Sequence, residues 1–260
     1  MGVVGHIRDL LLPPQCVVCG RTLNLDERHV CLHCEADMPF TYFGFAGRNA
    51  MADAFNALVQ KGLEEGEYVP YAPASALFYY EGDYSHLTQS LKYDGNLSLG
   101  RYLARLSAGK ISFPEFDVIV PVPLHWWRRF RRGFNQAAVV AAGLSASLGV
   151  PVAERLLRRV RSTRTQTVLG NEERFGNVLG AFEASPEVLR KILSSNNTEE
   201  KGGALRVLLV DDVFTTGATL CACREAILDA FGRLAASGSI PAGTPAPQVS
   251  VFTLAFAHRS

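Results

Sequence analysis

The stretch "RVLLVDDVFTTGATL" (206–220) constrains this chain more than any other. Val207-Leu208-Leu209-Val210 is an unbroken apolar run. Such a run is the mark of a strand covered on both faces, as in a parallel sheet. Two adjacent carboxylates, Asp211 and Asp212, stand at its end, and Thr215-Thr216-Gly217-Ala218-Thr219 leads into the helical pattern of "GATLCACREAILDAFGRL". In open parallel sheets ligands bind beyond the carboxyl ends of the strands. The sequence therefore brings two acids, small hydroxyl residues and a glycine to the place where a ligand would lie.

The rest of the chain repeats the alternation of strand and helix. "ASALFYYEG", "FDVIVPVP", "ALRVLLV" and "QVSVFTLAFA" read as strands. Helical patterns fall on "NAMADAFNALVQKG", "YSHLTQSLKYDGN", "LSLGRYLARLSAG" and the alanine-rich "FNQAAVVAAGLSASLG". Continuous apolar strands alternating with helices predict an α/β fold with a parallel sheet and flanking helices. The segment 155–175 is basic, polar and without period, while 194–203 and 237–247 read as flexible loops. No internal repeat is found.

The opening stretch suits a sugar phosphate. Backbone N–H groups of the 215–219 turn, with a helix dipole behind them, would cradle a phosphate, and Gly217 permits close approach. Adjacent acids repel a bare phosphate. They suit a ligand that also presents neighbouring hydroxyls or carries a cation. The plainer alternative is a strand end with solvated acids followed by a helix cap, but the full run is far more specific than an isolated acid pair.

The six cysteines divide into two groups. Cys16-x2-Cys19 and Cys31-x2-Cys34, with eleven residues between them, supply four thiolates for a tetrahedral Zn²⁺ site. Four thiolates leave no position for water, so such a zinc is structural. Two disulfides in a secreted chain are the alternative, and the N-terminus offers no secretion signal for it. His29 and His33 are near enough in sequence to substitute as ligands. Cys221 and Cys223 are two apart in a helix and read as small buried residues on different faces. The expected organisation is a zinc module over 1–45 and an α/β domain over 46–260. Apolar residues make up 48% and charged residues 20%, with a net charge of +1, so no bulk field argues for nucleic acid or a membrane. No apolar run reaches the about 18 residues of a membrane span. These features predict a cytoplasmic protein.

"VLLVDDVFTTGAT" resembles the signature that binds phosphoribosyl pyrophosphate (PRPP) in type I phosphoribosyltransferases. The order of "LLLPPQCVVCG", "CLHCE", "LKYDGNLSLGRYLA", "VIVPVPLHWWRRFRRGFNQA" and "TQTVLGNEERFGNVLGAF" resembles the ComF/GntX family of bacterial competence and amidophosphoribosyltransferase-like proteins. The resemblance covers almost the whole chain and includes no glutaminase domain. It implies that Asp211 and Asp212 hold the ribose hydroxyls of PRPP. It also implies that Thr215, Thr216, Gly217, Ala218 and Thr219 hold the 5-phosphate, and that the strand end at Pro121-Val122-Pro123-Leu124 meets pyrophosphate. Mg²⁺ would bridge the pyrophosphate oxygens, and 158–175 would be a loop closing over the site. Arg131, Arg132, Arg161 and Arg164 are the candidates for neutralising the leaving group; solvated surface charge is the alternative for each. Trp126 and Trp127 either stack on a base or pack locally. Lys92 and Tyr93 draw notice through the resemblance alone. The family's link to natural transformation adds two partner classes, competence helicase or DNA-processing proteins and single-stranded DNA, the latter centred on 128–132 and 155–174. Two function classes follow: a Mg²⁺-dependent phosphoribosyl transfer to an unknown acceptor, or a non-catalytic PRPP-binding or DNA-import accessory factor.

Overall fold

A computed structural model describes residues 13–63, 69–111, 115–124, 130, 132–160, 180–196 and 203–257. The calls on Trp126, Trp127, Arg131, Arg161 and Arg164, and most of 158–175, lie outside the described residues.

The thiol-rich segment comes first and ends in a short helix α1 (Leu32–Ala36), followed by α2 (Ala50–Lys61). Strand β1 (Ala74–Tyr79) leads to α3 (Ser85–Tyr93) and α4 (Leu97–Ala108). Strand β2 (Val118–Pro121) leads to α5 (Gln136–Leu148). Short strands β3 (Leu157–Arg159) and β4 (Phe182–Ala184) form an antiparallel pair, and α6 (Pro186–Ser195) follows. Strand β5 (Arg206–Phe214), α7 (Ala218–Ala236) and β6 (Gln248–Phe256) complete the order.

The main sheet has the order β1-β6-β5-β2, and every pairing in it is parallel. Its two faces bury different sets of side chains, as the pleat requires. Val207 and Leu209 of β5 join α2, α6, α7 and the β3–β4 pair in one core, while Leu208 and Val210 join α3, α4 and α5 in the other. The second core also contains Cys16, Val18, Leu23, Val30, Cys31, Cys34 and Met38, so the N-terminal segment packs on the same face as α3 and α4.

This arrangement creates the site. From β5 the chain turns into α7 on the first face, and from β2 it turns into α5 on the second. Connections leaving adjacent strands toward opposite faces open a crevice between their carboxyl ends. Strand β5 also outruns β2, because Pro121, the last residue of β2, pairs with Val210 and β5 continues to Phe214. The sequence places the acid pair just past the strand. In the structure the strand runs through both acids, held there by β6, where Asp211 faces Thr253 and Val213 faces Ala255.

Candidate ligand site at the end of β5

Side-chain alternation sets the direction of each carboxylate. Asp211 follows Val207 and Leu209 in parity and lies within electrostatic reach of Cys223 on α7 and Arg159 on β3. Asp212 follows Leu208 and Val210 onto the other face, where its Oδ2 is 3.0 Å from Lys92 Nζ. Lys92 stands in the last turn of α3. The two acids therefore straddle the edge of the sheet at the crevice. Alternation then slips by one residue. Val213 leans to the second core and Phe214 to the first, and their partners Ala255 and Phe256 on β6 do the same.

Burial first, and the Asp212 charge second, push the Asp211 carboxyl up to about 7. The Asp212 backbone N–H, donating to Asp211 Oδ1 at 2.9 Å, and the charges of Lys92 and Arg159 oppose that rise. Two carboxylates packed together without a ligand resist joint ionisation. A ligand that donates hydrogen bonds to them, or brings a cation, relieves that strain.

The turn after β5 is set by Gly217. Its φ is +77°, and a Cβ there would lie 2.6 Å from Phe214 Cζ. Both facts require glycine. Gly217 is the N-cap of α7 and has no side chain to cap with. The first bond of the helix runs from the Cys221 N–H to the Gly217 carbonyl at 2.9 Å. The first-turn amides of α7 are thus outside the helical ladder and point from its positive end. Thr215 is exposed, Thr216 and Thr219 are half-buried, and the Thr216 hydroxyl accepts from the Ala218 N–H at 3.5 Å.

Across the crevice, the Val122 N–H extends the ladder by bonding to the Val210 carbonyl at 2.8 Å, and Asn135 Nδ2 donates to the Val122 carbonyl at 3.0 Å. Beyond this strand end lies a cavity of about 540 Å³ lined in part by Pro121, Pro123, Asn135, Glu154, Arg158 and Arg159. Arg132 does not reach into it as a lone cation. Its guanidinium sits 5.4 Å from the ring centre of Tyr93, which is 73% exposed. Sequence reasoning left Lys92 and Arg159 without physical roles. Lys92 is the direct partner of Asp212, a pairing between residues far apart in sequence that no local pattern reveals.

The four cysteines of the N-terminal segment form the second site. Their Sγ atoms all lie within 4.8 Å of one another, and Cys19 Sγ is 3.8 Å from Cys31 Sγ. Zn–S bonds of about 2.3 Å in a tetrahedron place sulfurs about 3.8 Å apart, so the donor set fits zinc. The Cys31 N–H donates to Cys16 Sγ at 3.4 Å and the Cys34 N–H to Cys31 Sγ at 3.5 Å, the outer bonds that steady thiolate ligands. Buried Glu27 ties the intervening loop, accepting from the N–H groups of Asn24 and Leu32 and from Arg21. His33 pairs instead with Asp37 at 3.5 Å, and His29 packs beside the Tyr102 ring. Cys221 and Cys223 are both buried in α7, away from that cluster.

Fold and sites together define an α/β protein with an acid pair and a glycine-turned helix at a sheet crevice, joined to a small four-thiol module. No protein-family model matches the chain. Competence protein F of Haemophilus influenzae is 30% identical over 219 residues, which is 79% of this chain and 87% of that protein. The DNA utilization protein YhgH of Salmonella typhi is 31% identical over 151 residues, 55% of this chain and 60% of its own length. The chain belongs to the competence protein F (ComF) family. A solved glutamine PRPP amidotransferase from B. subtilis, complexed with ADP and GMP, overlaps 60% of this chain and 26% of its own, at 20% identity and a TM-score of 0.33. Among the described residues no helix is long and apolar enough to cross a membrane.

Proposed function

We propose that this protein binds PRPP at the end of β5 and transfers its phosphoribosyl group to an acceptor, releasing pyrophosphate. One observation carries the reading. Asp211 and Asp212 stand at the crevice, and a glycine-only turn at Gly217 aims the first amides of α7 beside them. The 5-phosphate would take the amides and hydroxyls of Thr215, Thr216, Gly217, Ala218 and Thr219. The ribose hydroxyls would donate to the two carboxylates. Pyrophosphate would lie toward Pro123 and Arg159, and Arg132 would have to leave the Tyr93 ring to join them.

The chemistry asks little of a nucleophile. As pyrophosphate leaves C1, positive charge develops on the sugar ring, and the site must neutralise the leaving group and exclude water. Two carboxylates beside the ring favour the positive charge. The oxygen-rich crevice fits Mg²⁺, which would take its ligands from the pyrophosphate, water and these acids and would offset charge on the leaving group. In the four-thiol module, Cys16, Cys19, Cys31 and Cys34 would hold a structural Zn²⁺.

A second reading is favoured by the names of the relatives, a competence protein and DNA utilization proteins. In it the same site binds PRPP without turnover, and the protein serves DNA uptake beside a helicase or other DNA-processing protein, with local contact to single-stranded DNA. Pyrophosphate release from PRPP and Mg²⁺ separates the two, measured across bases, amines and nucleic acids as acceptors. Acceptor-dependent release supports transfer. Tight PRPP binding with no release under any acceptor sinks transfer and favours the accessory role.

A further inference from the structure

Helix α5 begins with a residue that a purely structural account leaves unexplained. Gln136 is 3% exposed, and its Nε2 is a buried donor with no partner among the described residues. A buried, unpaired amide is costly, and native proteins rarely keep one without a reason. Replacement by an apolar side chain of similar length would remove the cost. The neighbouring N-cap, Asn135, makes no side-chain capping bond, and its Nδ2 donates instead to the Val122 carbonyl. The start of this 13-residue helix is therefore polar and underused on two counts.

The helical repeat says where Gln136 points. Asn135, Ala138, Val139 and Ala142 line the cavity beyond β2, and Gln136 is not among them. One turn on from Gln136 is Val140 and two turns on is Leu144, both in the second core with Leu208 and Val210 of β5. Helix α5 starts at the carboxyl end of the sheet, so Gln136 continues that row past Val140 as Asp212 continues the row past Val210. Lys92, in the last turn of α3, reaches the same face through its 3.0 Å pair with Asp212. The ammonium of Lys92 and the carboxylate of Asp212 meet at one corner, and the row of α5 directs the amide of Gln136 to the same face at the same end of the sheet.

We infer that Gln136 reads a ribose hydroxyl, and is a specificity-determining residue for the sugar. A hydroxyl is both donor and acceptor. One that donates to Asp212 still has lone pairs, and Gln136 Nε2–H is placed to donate to them. A deoxy sugar offers Asp212 no proton and Gln136 no lone pair, so both groups stay unsatisfied and the analogue is rejected. This inference rests on the ligand proposed above, and it goes beyond it by assigning the reading of the sugar to a helix residue.

The test compares ribose 5-phosphate with its 2-deoxy and 3-deoxy analogues by calorimetry, on the full chain and on Gln136→Met and Gln136→Leu. Either variant serves if the other fails to fold. The parent should prefer ribose 5-phosphate over one deoxy analogue by about tenfold or more. The variants should bind ribose 5-phosphate more weakly than the parent does while binding that analogue as before or better. The ratio then falls several-fold but stays above one, because Asp212 still accepts from the hydroxyl, and without ligand they should melt no lower than the parent. A ratio unchanged in the variants, together with a lower melting temperature, would mean that a buried water satisfies the amide and would overturn the assignment alone. A parent that binds PRPP but none of the sugar phosphates with preference also overturns it. A parent that binds neither PRPP nor any sugar phosphate overturns the proposed function as well.

Discussion

Asp211 is the residue whose chemistry is most constrained by its setting. Its carboxyl is raised to about 7 by burial and by Asp212. A raised folded-state pKa means that the native state holds the proton more firmly than the unfolded chain. The stability this contributes is fully present below the unfolded value of about 3.9 and is lost as pH rises through about 7. Asp211→Asn removes the titration. Without ligand, the variant should melt above the parent by about 3 °C at pH 8, and the gap should close toward pH 5. Thermal melts across that range check it; a gap that widens at low pH contradicts the electrostatic account. The opposite behaviour is expected once ligand is present, because the carboxylate that costs stability is the one that accepts a hydroxyl.

At the next scale, the β5–α7 junction shows what the sequence could and could not reveal. The strand, turn and helix were legible because an apolar run, a glycine and a helical pattern follow one another without ambiguity. The length of β5 was not, since acids normally read as a strand end and only pairing with β6 keeps the chain extended to Phe214. The two faces of the acid pair were legible in principle from alternation, but their partners were not, because Lys92 and Arg159 arrive by tertiary packing. Strand β4 and helix α6 carry local signals that went unread: Ser185 accepts from the Val188 N–H, Pro186 begins the helix, and Glu187 lies in its first turn. In the sequence, Gly217 reads as allowing phosphate to approach. The structure adds that a side chain there strikes the Phe214 ring in the core. Gly217→Ala should therefore destabilise the protein by roughly 2 kcal/mol, through left-handed strain and the displaced ring, as well as weaken phosphate binding. Urea unfolding measures the first effect, and a loss within about 0.3 kcal/mol of zero would contradict the packing argument.

Over the whole molecule, the thiol module shares one face of the sheet with Asp212 and Lys92, one side of the ligand site. Tyr84 donates to the Cys34 carbonyl at 3.0 Å, and Tyr102 to Glu35 at 2.5 Å, which fastens the module to the region of α3 and α4. Helix α3 carries Lys92 at its far end. The spacing of the four cysteines made the cluster legible, but the shared core with Leu87, Leu91, Leu99 and Leu103 was not, since nothing local says which helices a metal knuckle will cover. Cys31→Ser should lose zinc by elemental analysis and lower the melting temperature of the whole chain in one transition. A separate early transition would show the module to be independent of the sheet. The most direct test of the central claim is calorimetry with PRPP and Mg²⁺ on the parent and on the Asp211→Asn, Asp212→Asn double variant, with melts confirming that both are folded. Each lost charge should weaken a hydroxyl bond by ~1–2 kcal/mol, so the double variant should bind PRPP about 30-fold more weakly or worse. Equal affinity in parent and variant would contradict the account, because the acids at the end of β5 would then not hold the sugar.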